Sequence, residues 1–204
     1  MRVARSLFLS LLALVALHTQ HETKAETFAG SKTSSEIFVY MRVDPAAAQA
    51  QLPKGWTLHP WTKGAWAGAN LMLIFSDAHG VFDAERKAVR DAGFLRLWVI
   101  TWGHSDAVKW RIFVTHDFAT DGIASGRGTD RTIAEIRRHM SRESIGSDHP
   151  RIAEAWQVES DAGRLSFDLT YHAVRARFSK QTARVTNPKQ PEGPRQIRRI
   201  EQLS

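Results

Sequence analysis

Cysteine is absent from all 204 residues. No disulfide can brace the fold, no thiolate can act as a nucleophile, and cysteine-based zinc sites are excluded. Adjacent lysines are missing as well, and no lysine lies between Lys109 and Lys180. Long apolar runs are scarce: the one that stands out is Leu7 to Leu17, near the N-terminus. What remains is an ordinary globular composition, 43% hydrophobic and 24% charged. A chain of this size can bury a core without disulfides or metals.

The apolar run follows Arg2 and Arg5 and precedes the polar stretch His18 to Lys24 and then Ala25. A positive start, a short apolar centre and a small-residue end have the form of a secretory signal peptide. The run falls short of the roughly 20 residues a bilayer-spanning helix needs. The expected cleavage is after Ala25, with Ala16 as the alternative site and an uncleaved anchor helix as the alternative reading. Export without disulfides fits a bacterial periplasm better than a small secreted eukaryotic domain. Residues 26–35 are polar and small, and are expected to form a flexible leader ahead of a single β-rich domain over 36–204.

The formal charge is +7. Removing residues 1–25, with three positive and one negative side chain, leaves about +5. The excess lies in Arg127 to Arg142 and in the tail from Arg175 to Arg199. An exported protein rarely meets nucleic acid, so no nucleic-acid partner is expected. Such faces are either solvated or turned toward an anionic envelope surface.

Along the chain, Ile37 to Val43 alternates, with Phe38, Tyr40 and Arg42 on one face, and predicts a strand. Asp44 suits an N-cap and Pro45 a first helical position, so Ala46 to Leu52 reads as a short helix. Pro53 and Gly55 end it, and Trp56 to Trp61 is extended. Ala67 to Ser76 is a strand with both faces apolar except at Asn70. "SDAHG" (Ser76 to Gly80) reads as a turn, and the charged stretch before Phe94 as a loop. Phe94 to Trp102 and Ala107 to His116 read as strands joined by a hairpin at "GHSD". Asp117 to Gly128 reads as a long loop. Thr129 to Ser144 carries Ile133, Ile136 and Met140 at helical spacing, with Thr132 and Glu135 spaced as a capping box, and predicts an amphipathic helix. A second hairpin surrounds "SDAGR" (Ser160 to Arg164). Val174 to Val185 supplies a further strand, and Ile197 to Leu203 a last element. The sum is an α+β, mainly β domain, built on an antiparallel sheet or barrel.

The opening run "VYMRVDPAAAQAQLPKGW" (Val39 to Trp56), with its strand, Tyr-Arg-x-Asp, short Ala-rich helix and Leu-Pro-x-Gly turn, resembles the start of the acetoacetate decarboxylase superfamily. "GANLMLIFSD" and "GRLSFDLTY" are similar to its barrel strands, and "GIASGR" (Gly122 to Arg127) to the segment before its catalytic lysine. The resemblance covers residues 36–185. It implies a cone-shaped β-barrel with one or two flanking helices, and it places Arg42 in a cavity where a guanidinium holds a substrate carboxylate bidentately. Without the resemblance, Arg42 reads as a strand residue facing solvent. The resemblance also implies a Schiff-base lysine whose pKa is lowered by a neighbouring lysine. Here the pattern departs, because "GRGTDRTIAEIRR" offers no lysine. Lys109 is the weak remaining candidate for catalysis, with Arg111 two residues on as a perturbing cation, against the reading that Lys109 faces outward.

The 9 histidines form no H-x-H or H-E-x-x-H spacing, and no metal or other cofactor is expected. His104 and His116 flank one hairpin and could meet as ligands only near one rim, if the register is long. Ser125 lacks the spacing of a hydrolase nucleophile elbow. The 7 tryptophans carry more. Phe94, Arg96, Trp98, Ile100 and Trp102 share one strand face, and two indoles with an arginine suit a planar or acidic organic ligand. The expected ligand set is Arg42, Arg96, Trp98 and Trp102. The expected function is an exported organic-acid-binding or lyase-type domain without Schiff-base decarboxylation. The alternative is a non-catalytic envelope barrel that binds a lipid or apolar ligand.

Overall fold

The computed structural model describes residues 30–89, 93–121, 131–143, 150–172, 178–186 and 196–203, the last two in their backbone only. The expected signal peptide, the "GIASGR" segment and residues 175–177 and 187–195 of the basic tail lie outside the described residues.

The larger sheet is built on β1 (Ser31–Met41), β3 (Leu71–Phe82), β4 (Phe94–Ser105) and β5 (Val108–Ala119), each antiparallel to the next. β2 (Thr57–Leu58) joins β4. β6 (Arg131–Ile133) and β10 (Phe178–Thr186) both pair with β5 in parallel, and β11 (Gln196–Leu203) pairs antiparallel with β10. The second sheet is an antiparallel meander of β7 (Glu135–Glu143), β8 (Arg151–Ser160) and β9 (Gly163–His172). One short α-helix, α1 (Pro45–Ala50), stands among the described residues, with Pro45 in its first turn and the Asp44 carboxylate accepting from the Ala46 N–H at 2.8 Å. The hairpin turns after Ser105 and Ser160 fall where the sequence predicts them.

β4 explains the packing. Leu97 with the partly buried Leu95 and Val99 joins Leu73, Phe75, Ile136, Trp156 and Val158 in a cluster contributed by both sheets. Trp98, Ile100 and Trp102 join Met72, Ile74 and Val114 in a second cluster on the other face. A strand buried on both faces needs apolar residues in both phases, as "FLRLWVITW" has. Each fully buried large side chain contributes about 1.5–3 kcal/mol, so these two clusters are the main stabilising term.

Four expectations are corrected. The described strands do not close into a barrel: the larger sheet runs openly from β1 to β11, whereas closure requires every strand to be paired on both sides. Residues 26–29 lie outside the described residues, and Ser31 to Ser35, expected within the flexible leader, form the first half of β1. Its polar residues alternate just as apolar ones would, and Lys32, Ser34 and Glu36 share a face. "SDAHG" is no turn; β3 passes through it with a bulge, so that Thr33 pairs with Gly80 and Ser34 with Ala78. Finally, the helix predicted over Thr129 to Ser144 is β6 and β7. Ile133 and Met140, two-thirds of its apolar stripe, are 58% and 51% exposed, while Ile136 is buried by the facing sheet. Ile136, Arg138 and Met140 also fit a period of two, and pairing with β8 decides between the periods.

Candidate functional site

Register builds one face of the larger sheet row by row. Glu36, Ser76 and Arg96 align, then Phe38, Ile74, Trp98 and Asp117, then Tyr40, Met72 and Ile100. Asp117 reaches this face through a bulge at Thr115, where Val99 pairs with His116 and Ile100 with Val114. The two ends of the face differ in kind.

The first end is ionic. Arg96 grips Asp117 bidentately, Nε to Oδ1 at 2.6 Å and Nη2 to Oδ2, and both side chains are buried. The Trp98 indole N–H donates to the same carboxylate at 3.0 Å, and the Arg96 guanidinium lies 4.1 Å from the Trp98 ring centroid. Burial, with Arg131 nearby, holds the Arg96 guanidinium below its usual value despite Asp117. Arg131 approaches Asp117 at 3.7 Å and donates to Asp121 at 3.0 Å. Beside them, Lys32 donates to Glu36 at 2.6 Å and to Ser76 at 2.9 Å, with its ammonium 5.7 Å from the Trp98 ring. Burial pushes the Glu36 carboxyl up, yet Lys32 and the Ser34 and Ser76 hydroxyls together hold it below the usual glutamate value. This end is closed: the Arg96 fork that a ligand acid would need is filled by Asp117.

The second end is aromatic. Trp102, Tyr40 and Trp66 stack, with Tyr40 6.2 Å from Trp102 at 4° and 4.4 Å from Trp66 at 12°. Trp61 meets Tyr40, Trp66, Trp102 and Trp110 edge-on. Burial raises the Tyr40 phenol. Trp102 is 1% exposed at the back of the stack, while Trp66 is 47% exposed at its front. In front of it lies a depression of about 230 Å³ lined by Tyr40, Met41, Arg42, Trp66 and the alanines Ala65, Ala67 and Ala69.

Local structure presents Arg42 there. Asn70, 2% exposed, takes the Met41 carbonyl on its backbone N–H at 3.0 Å, and its side-chain amide pairs with both the N–H and the C=O of Val43, each at 2.9 Å. Arg42 is thus held on both sides. Its guanidinium rests over Gly68, where a Cβ would come within 2.1 Å of Nη2, and Nη2 donates to the Ala67 carbonyl at 3.4 Å. Among the described residues that is its one hydrogen bond, so most of its donors face the depression's solvent.

Of the four expected ligand residues, the structure gathers Arg96 with Trp98 at the ionic end, and Arg42 with the Trp102 stack at the aromatic end. Arg42 is exposed at the rim of an open sheet and does not sit in an enclosed barrel. Lys109 is exposed, whereas Arg111 is buried over Trp56 at 4.8 Å, so the two do not share an environment. His104 packs against His59, with ring centroids 5.5 Å apart, and no group of three metal-ligating side chains occurs among the described residues. Sequence reading missed Asp117 and Lys32, the residues that close the ionic end. Their signals were the matching parity of Lys32, Ser34 and Glu36, and a carboxylate next to a long strand: the loop expected from Asp117 begins later, because β5 runs on through Asp117 to Ala119.

No protein-family model matches the chain, and no curated protein sequence matches it. Among solved structures, the chain is similar to an acetoacetate decarboxylase-like enzyme from Sphingomonas wittichii RW1, at 15% identity and a TM-score of 0.50, over 91% of this chain and 76% of that one. The opening strand, the small helix and its turn, and the two packed sheets therefore stand together in an acetoacetate decarboxylase-like fold.

Proposed function

We propose that this chain is an exported domain that binds a small organic acid at the aromatic end of its larger sheet, with Arg42 as the anchor. The observation that carries this reading is the presentation of Arg42: braced on both sides by Asn70, seated over Gly68, and otherwise unengaged beside an exposed indole. A guanidinium held in place loses little freedom when it takes a carboxylate on its fork. Export rests on the N-terminal run after Arg2 and Arg5, and N-terminal sequencing of the protein recovered from the periplasm is expected to begin near Glu26.

Schiff-base decarboxylation is not part of this function. Imine formation needs an amine free to attack a carbonyl. Lys109 faces solvent while Arg111 is buried, and the Lys32 ammonium is engaged by Glu36 and Ser76. Borohydride treatment with a keto acid should leave no lysine adduct, and an adduct on either residue contradicts the reading. Carboxylate titration supplies the positive test: Arg42→Ala should weaken binding by roughly 10- to 100-fold, the worth of a hydrogen bond to a charged group. Arg42→Lys should be nearly as poor, because a point charge cannot copy the fork. Met41, Trp66 and Trp110, all exposed near this end, favour a lipid or apolar ligand as the second reading. Binding of a neutral apolar probe with no response to Arg42→Ala would establish that reading instead.

A further inference from the structure

Planarity is the feature of the aromatic end that an acid-binding site does not by itself require. Trp102, Tyr40 and Trp66 form a stepped stack with interplanar angles of 4° and 12°. One face of the Trp66 indole is covered by Tyr40 and one edge is met by Trp61, yet the residue stays 47% exposed. Among the described residues Tyr40 and Trp61 are its ring partners, and the side of Trp66 away from Tyr40 is the end at which the stack can be continued. Arg42 lines the same depression.

We infer that the ligand is a single-ring aromatic carboxylate, its ring continuing the stack on Trp66 and its carboxylate on the Arg42 fork. This rests on the acid-binding reading above and narrows it. In such a ligand ring and carboxylate share one plane, so a rigid body meets a flat indole and a flat guanidinium with few torsions to freeze. Offset stacking also adds affinity beyond the area it covers. Size sets the other limit: about 230 Å³ is below the usual 300–1,000 Å³ of pockets for drug-sized ligands, which suits one ring and not a fused system.

Three probes of similar size separate the terms: benzoate, cyclohexanecarboxylate and benzamide. Cyclohexanecarboxylate keeps the charge and the apolar bulk but loses the plane, while benzamide keeps the plane and loses the charge. Titrated into the protein at near-neutral pH, benzoate should bind best. Cyclohexanecarboxylate should be weaker by roughly 2- to 10-fold, the range of an aromatic pair, and benzamide by roughly 10-fold or more. Trp66→Ala should erase the advantage of benzoate over cyclohexanecarboxylate, and Trp66→Phe should restore part of it. Equal binding of the two acids would overturn the aromatic inference and leave the acid site standing. Benzamide binding as well as benzoate would remove Arg42 from the site. Failure of both acids to bind would overturn the acid reading, and this inference with it.

Discussion

The two ends of one sheet face each place an arginine beside a tryptophan, and they put the pair to opposite uses. At the ionic end Arg96 lies over Trp98 and is matched by Asp117, so its charge is consumed inside the protein. At the aromatic end Arg42 stands near Trp66, with the Ala67 carbonyl as its one hydrogen-bond partner among the described residues. A residue pair does not define a site; the acceptor inventory around it does. Buried charge that is paired holds the fold in one arrangement, and exposed charge that is positioned but unpaired is available to a ligand.

Asp117→Ala probes the closed end and should have the largest effect. It leaves Arg96 buried without its carboxylate, a change that costs about 3–5 kcal/mol. The double variant Arg96→Met with Asp117→Leu should recover most of that loss, because a buried pair is often replaceable by packed apolar groups. Urea denaturation of both checks this, and a well-tolerated Asp117→Ala would mean the ionic end is not closed as described. Asn70→Ala should cost about 1–3 kcal/mol, since both polar groups of Val43 lose their partner. It should also weaken acid binding at the other end, where loss of stability without loss of binding would show that Arg42 needs no bracing. Trp66→Ala acts at the surface, and no more than about 1.5 kcal/mol of stability should be lost with its ring contacts. A larger drop in melting temperature would make Trp66 a core residue and not a platform.

The smallest effect is a pH slope. Glu36 titrates below the usual glutamate value of 4.5 in the folded protein, so the folded state binds fewer protons than the unfolded one. The stability this provides is complete above that value and is lost as the pH falls through the lower folded value. Glu36→Gln should accordingly flatten the fall of melting temperature below about pH 4.5. An unchanged slope would place the acid sensitivity in another carboxylate. Glu154 is the nearest rival, because burial raises it while Arg138, Tyr171 and Trp156 together hold it lower.

The sequence shows the local features of this architecture more clearly than the long-range ones. The two phases of "FLRLWVITW" announce a strand buried on both faces, and Asp44-Pro45 announces the start of α1. The face shared by Phe38 and Tyr40 is also plain, and the structure packs both against the cluster of Trp98, Ile100 and Trp102. Polar strands are harder to see: "SKTSSE" alternates without an apolar signal, so Lys32 and Ser34 read as leader. The residue that closes the ionic end, Asp117, is 21 positions from Arg96 and reaches it through a bulge that breaks the period of β5. Arg96 and Arg42 therefore look alike in sequence, and only pairing tells them apart. In Thr129 to Ser144, Ile136 and Met140 satisfy both periods, and the choice between them lies in β8, outside the segment.

The indole N–H signals of the 7 tryptophans give the most direct test of which end receives the ligand. With the protein labelled at tryptophan nitrogen and titrated with benzoate, the signal assigned to Trp66 through Trp66→Phe should shift progressively to saturation, while that of Trp98, locked on Asp117, stays in place. A saturable shift of Trp98 with Trp66 unmoved would put the site at the ionic end and contradict the division described above.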